Sequence, residues 1–205
     1  LVTRVSVGSG GVQGNSYSWS LASFSADGRW VTFASMASNL VPDDTNGDWD
    51  VFVHDRQTGT TTRVSVGPDG VEANEGSGGG AISADGRAVA FTSRASNLVA
   101  GDTTGHEDVF VHVRQTGTTA GVSIGLGGVP GNADSFRPAI SADGRSVAFY
   151  STASNLVAGD TNGTSDVFVR DRQAGVTTRA SVAPGGVQGA GSSVGSSISA
   201  DGRVV

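Results

Sequence analysis

Apolar residues in this chain gather in short runs separated by polar, Gly-rich stretches, and no segment shows the spacing of an amphipathic helix. One stretch shows the pattern well. Residues 80–83 predict a short first strand, closed by Asp85-Gly86, a dipeptide that tolerates the positive φ of a tight hairpin. Residues 88–93 predict a second strand with Val89 and Phe91 on one face. A connection over 94–107 leads to a third strand at 108–113, and a turn at 115–118 to a fourth at 119–124. A Gly-rich crossover then carries the chain onward.

The same pattern returns at a fixed interval. Ser25-Ala26-Asp27-Gly28-Arg29 recurs at 83–87, 141–145 and 199–203, each time 58 residues on. Ala37-Ser38-Asn39-Leu40-Val41 recurs at 95–99 and 153–157, and the acidic stretch 44–53 at 102–111 and 160–169. Thr3-Arg4-Val5-Ser6-Val7 recurs at 62–66 after 59 residues, so one extra residue lies between Gly8 and Leu21. Four antiparallel strands repeated with one period predict an all-β chain, a β-propeller built from four-stranded blades of 58-residue repeats. About three and a half blades are expected: an N-terminal outer strand at 1–7, blades at 20–66, 78–124 and 136–182, and a partial blade at 195–205. Three and a half units leave open sheet edges. Self-association into a larger ring, or a segment of a longer propeller, is expected over a closed four-bladed monomer.

The Ser-Ala-Asp-Gly-Arg turn, its Val-x-Phe strand and the later Asp-Val-Phe-Val strand resemble the WD40-like (PD40) repeats of TolB-type propellers. The resemblance covers essentially the whole chain, with Ala26, Ala84, Ala142 and Ala200 standing where those repeats usually have Pro. It implies the fold. Such propellers serve as docking platforms, enzyme gates and sugar-processing scaffolds, so the site must carry the function.

Composition narrows the classes. Gly, at 32 residues, is about twice ordinary usage, as many tight turns require. The net charge is −6 and all 13 cationic side chains are Arg, scattered at repeat positions such as Arg29, Arg87, Arg145 and Arg203. That excludes a clustered basic surface for nucleic acid. The absence of Cys excludes disulfides, thiolate metal sites and a cysteine nucleophile. No apolar run is long enough to span a membrane. The chain opens at Leu1 inside a repeat, with no signal peptide in view, as a processed or excised segment would.

The acidic loops are the strongest chemical candidates. Asp44, Asn46, Asp48 and Asp50 in copy one, Asp102 and Asp108 in copy two, and Asp160, Asn162 and Asp166 in copy three present oxygens around a Gly turn, as the first part of a Ca²⁺ loop does. The late bidentate Glu and flanking helices of an EF-hand are missing, and Thr104 replaces the Asn in copy two. The competing reading is structural: Asx-turns at the first Asp, and a strand start at the last. Asp27, Asp85, Asp143 and Asp201 read as turn formers. Every acidic pair is repeated, whereas a propeller active site is singular.

His54 and His112 share one strand position and read as exposed; His106 sits in the second acidic loop beside Glu107. No zinc spacing exists among them. Gly191-Ser192-Ser193-Val194-Gly195 matches a nucleophile elbow by letter but lacks the strand and helix around it. Gly76-Ser77-Gly78-Gly79-Gly80 lacks the Lys of a phosphate loop, and the sequon Asn162-Gly163-Thr164 falls inside the repeat. All three Trp residues lie in copy one. Trp19, placed in the crossover, and Trp49, in the acidic loop, are candidate ligand-binding residues, suited to sugar stacking or a protein hot spot.

These readings converge on a non-enzymatic binding or scaffolding propeller module, extracellular or periplasmic, with a protein or carbohydrate ligand and calcium as a stabilising ion. The alternatives are the propeller domain of a larger hydrolase or peptidase, and a lectin-like propeller.

Overall fold

The computed structural model describes residues 2–102 and 104–205. Leu1 of the predicted N-terminal strand and Thr103 of the second acidic loop lie outside them. Three four-stranded antiparallel sheets follow one another along the chain, each in sequential strand order. Blade one holds β1 (Ser18–Phe24), β2 (Trp30–Ser35), β3 (Asp50–Asp55) and β4 (Thr60–Arg63). Blade two holds β5 (Ser77–Ile82), β6 (Ala88–Ser93), β7 (Asp108–Val113) and β8 (Thr118–Gly121). Blade three holds β9 (Ser135–Ile140), β10 (Ser146–Ser151), β11 (Asp166–Asp171) and β12 (Val176–Arg179). A small hairpin, β13 (Val182–Ala183) with β14 (Val187–Gln188), follows. The helical content of the described residues is two single 3₁₀ turns, Pro68–Gly70 and Leu126–Gly128.

The second and third strands of each unit fall where the sequence places them. The first strands start earlier, because Gly78 to Ala81 forms a bulge that lets the strand continue outward. The fourth strands end at Arg63, Gly121 and Arg179. Their predicted tails leave the sheet and bridge the crossover instead, Val66 with Glu72 and Ile124 with Pro130. The predicted outer strand at 1–7 is not a strand among the described residues. Among the described residues no strand pairs with it, and Val7 bridges Gln13 in the same way. The extra residue of copy one lies in the bulge of β1, where the register slips between Trp19 and Ser23. Trp19 therefore belongs to an inner strand and not to the crossover.

Segment 195–205 forms no strand, yet together with the residues just before it this segment repeats contacts that seat blades two and three. Ser193 N–H donates to Ser165 O at 2.7 Å, as Ser77 does to Trp49 and Ser135 to Glu107. Ala142 N–H donates to Ala200 O at 2.9 Å, continuing the rail from Ala26 to Ala84 to Ala142.

The core lies between blades. Alternation on β3 turns Val51 and Val53 toward blade two, where they meet Val89, Phe91 and Phe110. Val109 and Val111 of β7 meet Val147, Phe149 and Phe168 of blade three in the same manner. Both faces of the middle strands are covered, so they read as continuous apolar runs. The recurring Asn clamps the crossover to its blade: Asn39, Asn97 and Asn155 donate side-chain N–H groups to Gln13, Glu72 and Pro130 carbonyls. The Ser-Ala-Asp-Gly-Arg turns are Asx-turns, with Ser25 Oγ and Arg29 N–H both donating to Asp27 Oδ1 at 2.6 and 3.0 Å. Gly86 in the second turn has φ +73°, and a methyl there would run into the Trp30 indole of blade one. Trp30 is thus a packing residue, with the Arg114 guanidinium 3.7 Å from its ring centre.

Candidate ligand cavity and the acidic staples

The acidic loops fold around arginines. In copy one, Arg63 on β4 reaches Asp44 at 3.9 Å, Asp50 at 3.3 Å and Glu72 at shorter range. Those three carboxylates place oxygens within 4.8 Å of one another. Asp50 is fully buried, accepts from Ser65 Oγ, and is pushed up to about 6 by burial. Copy three repeats the arrangement: Arg179 lies 3.3 Å from Asp160 and 3.5 Å from Asp166. Gln188 takes the place of Glu72 and donates to Asp160. Asn46 and Asn162 turn their amide N–H groups to Asp50 and Asp166, and their oxygens accept from the loop backbone. They face the carboxylates as donors, where a cation ligand would present oxygen. Asp48 stands apart and accepts from the Trp49 N–H at 2.7 Å. Glu72, supplied by the Gly-rich crossover, had no signal in the motif.

Copy two differs. Gly121 stands where copies one and three have Arg, and Pro130 where copy one has Glu72. Asp102 and Asp108 are buried with Thr104 as their shared hydroxyl donor. Burial, with the neighbouring Asp102 charge, pushes Asp108 up to about 6. A Cβ at Gly121 would meet only Ile124 Cγ2 at 3.4 Å, so the backbone there accepts a side chain. Gly121→Arg is expected to stabilise the protein by about 1–3 kcal/mol at pH 7.5, the worth of hydrogen bonds to a buried charge. Paired thermal melts check this. The gain should shrink toward pH 4 as Asp108 takes up its proton, and an unchanged Tm at pH 7.5 would refute the staple.

His54 and His112, read as exposed, are buried. The crossover that leads into their own blade lies against this strand position, and each Nδ1 sits 2.9 Å from a Thr hydroxyl, Thr61 or Thr119. Those hydroxyls donate to the Val7 and Val66 carbonyls, so the imidazoles carry the proton on Nδ1. Burial lowers His112 to about 4. His106 remains at the surface, its Nδ1 3.4 Å from Asp134.

A cavity of about 750 Å³ opens where the inner strands β1, β5 and β9 converge. Trp19 and Trp49 stand on its blade-one side as an edge-to-face pair, centroids 6.3 Å apart. Trp19 is 78% exposed. Phe136 and Tyr150 form a second pair at 5.3 Å on the blade-three side. Between them lie Asp48, Glu75, Arg94, Glu107 and Arg137, with Arg94 pairing to Glu107 at 3.7 Å. Asp48, Glu75 and Glu107 occupy positions where the other copies have no carboxylate, so an unrepeated acidic group exists after all. Its members come from three different segments, and only blade packing brings them to one rim.

No family model and no curated protein matches the sequence. Solved structures do match. TolB from Acinetobacter baumannii superposes with a TM-score of 0.53 at 18% identity, over 92% of this chain and 36% of that one. TolB from Agrobacterium tumefaciens gives 0.50 at 18% identity, over 80% and 48%. A prolyl endopeptidase gives 0.52 at 13%, over 92% and 25%. The chain therefore spans well under two thirds of the structures it resembles. Three blades with sequential meander order, cores between blades and these superpositions together define its fold as that of a TolB-type β-propeller.

Proposed function

We propose that this chain is a non-catalytic binding module of a secreted or periplasmic protein and that it takes a carbohydrate in the cavity at its inner strands. The observation that carries this is the pair of aromatic walls, Trp19 with Trp49 and Phe136 with Tyr150, facing each other across planar polar side chains. Aromatic faces accept the C–H faces of sugar rings, and carboxylate and guanidinium edges match paired hydroxyls. The extracytoplasmic setting rests on the resemblance to TolB; no helix of the described residues is long and apolar enough to cross a membrane.

Titration of oligosaccharides against intrinsic fluorescence tests the reading. Binding should shift the Trp emission, and Trp49→Ala should weaken it about tenfold or more, as loss of a central aromatic anchor does. A protein ligand is the competing outcome, shown by a Trp49→Ala-sensitive response to peptides and none to sugars.

A second reading, the propeller domain of a larger enzyme, gains from the unrepeated Asp48, Glu75 and Glu107. Release of new reducing ends from a bound oligosaccharide would favour it. Calcium enters as a stabilising ion only. In copies one and three a guanidinium already holds the place between the carboxylates, which leaves Asp102 and Asp108, with no ion pair to an Arg among the described residues, as the candidate pair for a cation. Any rise in Tm on adding calcium should vanish in Gly121→Arg.

A further inference from the structure

Arg137 is the residue in the cavity that the fold does not account for. It occupies the bulge of β9, at the position where β5 has Gly79. Gly79 adopts φ +65° at no steric cost, and Arg137 adopts φ +48° in the same bulge. A side chain there is strained relative to glycine, because Cβ crowds the following carbonyl oxygen. Such strain persists where the surrounding structure enforces it and clusters at ligand sites. Here the backbone is held from both sides: Phe136 stays in register with Tyr150, and Ser196 Oγ donates to Arg137 O at 2.7 Å.

The guanidinium gives nothing back to the fold. Among the described residues it makes no ion pair and no hydrogen bond, and Arg137 is exposed at the cavity rim beside Phe136 and Tyr150. The other cavity cation, Arg94, is engaged by Glu107. On the far wall Asp48 is held by the Trp49 amide. The cavity is therefore polarised, with a free positive fork on blade three and carboxylates toward blades one and two.

Building on the carbohydrate reading above, we infer that the ligand is an acidic sugar whose carboxylate is bound by Arg137. A guanidinium presents two parallel N–H donors that match a carboxylate in a bidentate pair. The uronic acid ring would lie against Phe136 and Tyr150, and neutral hydroxyls would point toward Asp48 and Trp49. This orientation keeps the ligand's charge away from the acidic wall.

The test uses matched trisaccharide pairs, neutral and uronic, in gluco, galacto and manno configuration, titrated calorimetrically and by Trp fluorescence. In the wild-type protein the uronic member of at least one pair should bind about tenfold or more tightly than its neutral partner, a typical return for one charge-assisted pair. Arg137→Gly restores the residue that the repeat uses, so it should fold, melt a few degrees higher, and bind both members equally. Arg137→Lys, with charge but no fork, should fall between. Uronic binding that is no tighter than neutral, or that survives Arg137→Gly, overturns the role of Arg137 and leaves the carbohydrate site standing. Absence of binding by all six sugars overturns both.

Discussion

Replacing Arg63 with Met is expected to destabilise the protein by about 3–5 kcal/mol at neutral pH, the usual consequence of stranding a buried charge. In a chain of this length that is a fall of about 6–20 °C in Tm. Arg63 is the one cation among Asp44, Asp50 and Glu72, and its side chain is 9% exposed while that of Asp50 is fully buried. Without it, three carboxylates crowd together and Asp50, buried away from water, loses its counter-charge. Adding Asp50→Asn to Arg63→Met should recover much of the loss, because the neutral amide needs no counter-charge. Equal destabilisation of the single and double variants would mean that Arg63 acts through packing alone.

Acidity gives a second reading of the same site. The folded-state value of Asp50 is raised from 3.8 to about 6, so the folded protein holds that proton more tightly than the unfolded chain. Its contribution is complete below about pH 4 and is lost as pH rises through 6. Asp108 contributes with the same sign over the same window. His112 opposes them: its value is lowered to about 4, so its contribution is present above 6.5 and is lost as pH falls through 4. Asp55 and Asp171, held well below the usual range by Arg29 and Arg145, weaken the fold only at still lower pH. The wild-type profile therefore mixes opposing terms between pH 4 and 6.5. The difference between Arg63→Met and wild type isolates one of them, and it should narrow steadily on acidification.

What could be read from the residues, and what could not, divides along the repeat. Strands such as Ala88–Ser93 and Asp108–Val113 announce themselves because turn chemistry and alternation act over a few residues, and the 58-residue period confirms each one. The burial of His54 and His112 was invisible, because what covers them is the crossover from the neighbouring unit, and strand alternation alone carries no record of it. The acidic loops were visible as motifs, but their partner Arg63 lies 13 residues beyond Asp50 on the edge strand. An Arg in a Thr-rich strand looks like an ordinary surface residue until the pairing turns it inward. Trp19 and Trp49 stood out as departures from the repeat, and both line the cavity. Arg137 was equally a departure, an Arg in the place of Gly79. Aligning every copy position by position, and asking which substitutions oppose the backbone that the other copies adopt, would have found it.

Phe91→Ala is expected to cost about 3–5 kcal/mol, the range for emptying a buried aromatic site, and the shape of its unfolding curve should say more than the size of the loss. Phe91 is fully buried, packs 5.9 Å from Phe110, and faces Val51 and Val53 of blade one. In a repeat array, stability is a sum of unit terms and nearest-neighbour interface terms. The cavity left by Phe91 falls on the interface between blades one and two, so it should weaken their coupling as well as blade two itself. Every Trp lies in copy one, and Trp30 packs on Gly86 and Arg114 of blade two, which makes fluorescence a reporter of blade one and its interface with blade two, while far-ultraviolet circular dichroism reports all three blades. In Phe91→Ala the fluorescence transition should precede the dichroism transition on heating. Phe149→Ala provides the control, since Phe149 meets Ala90, Val109 and Val111 at the next interface. It should cost a similar amount but spare the coupling of blade one to blade two, so fluorescence should not lead. Coincident transitions in both variants would mean that three blades melt as one cooperative unit and that the interfaces are stronger than the blades they join.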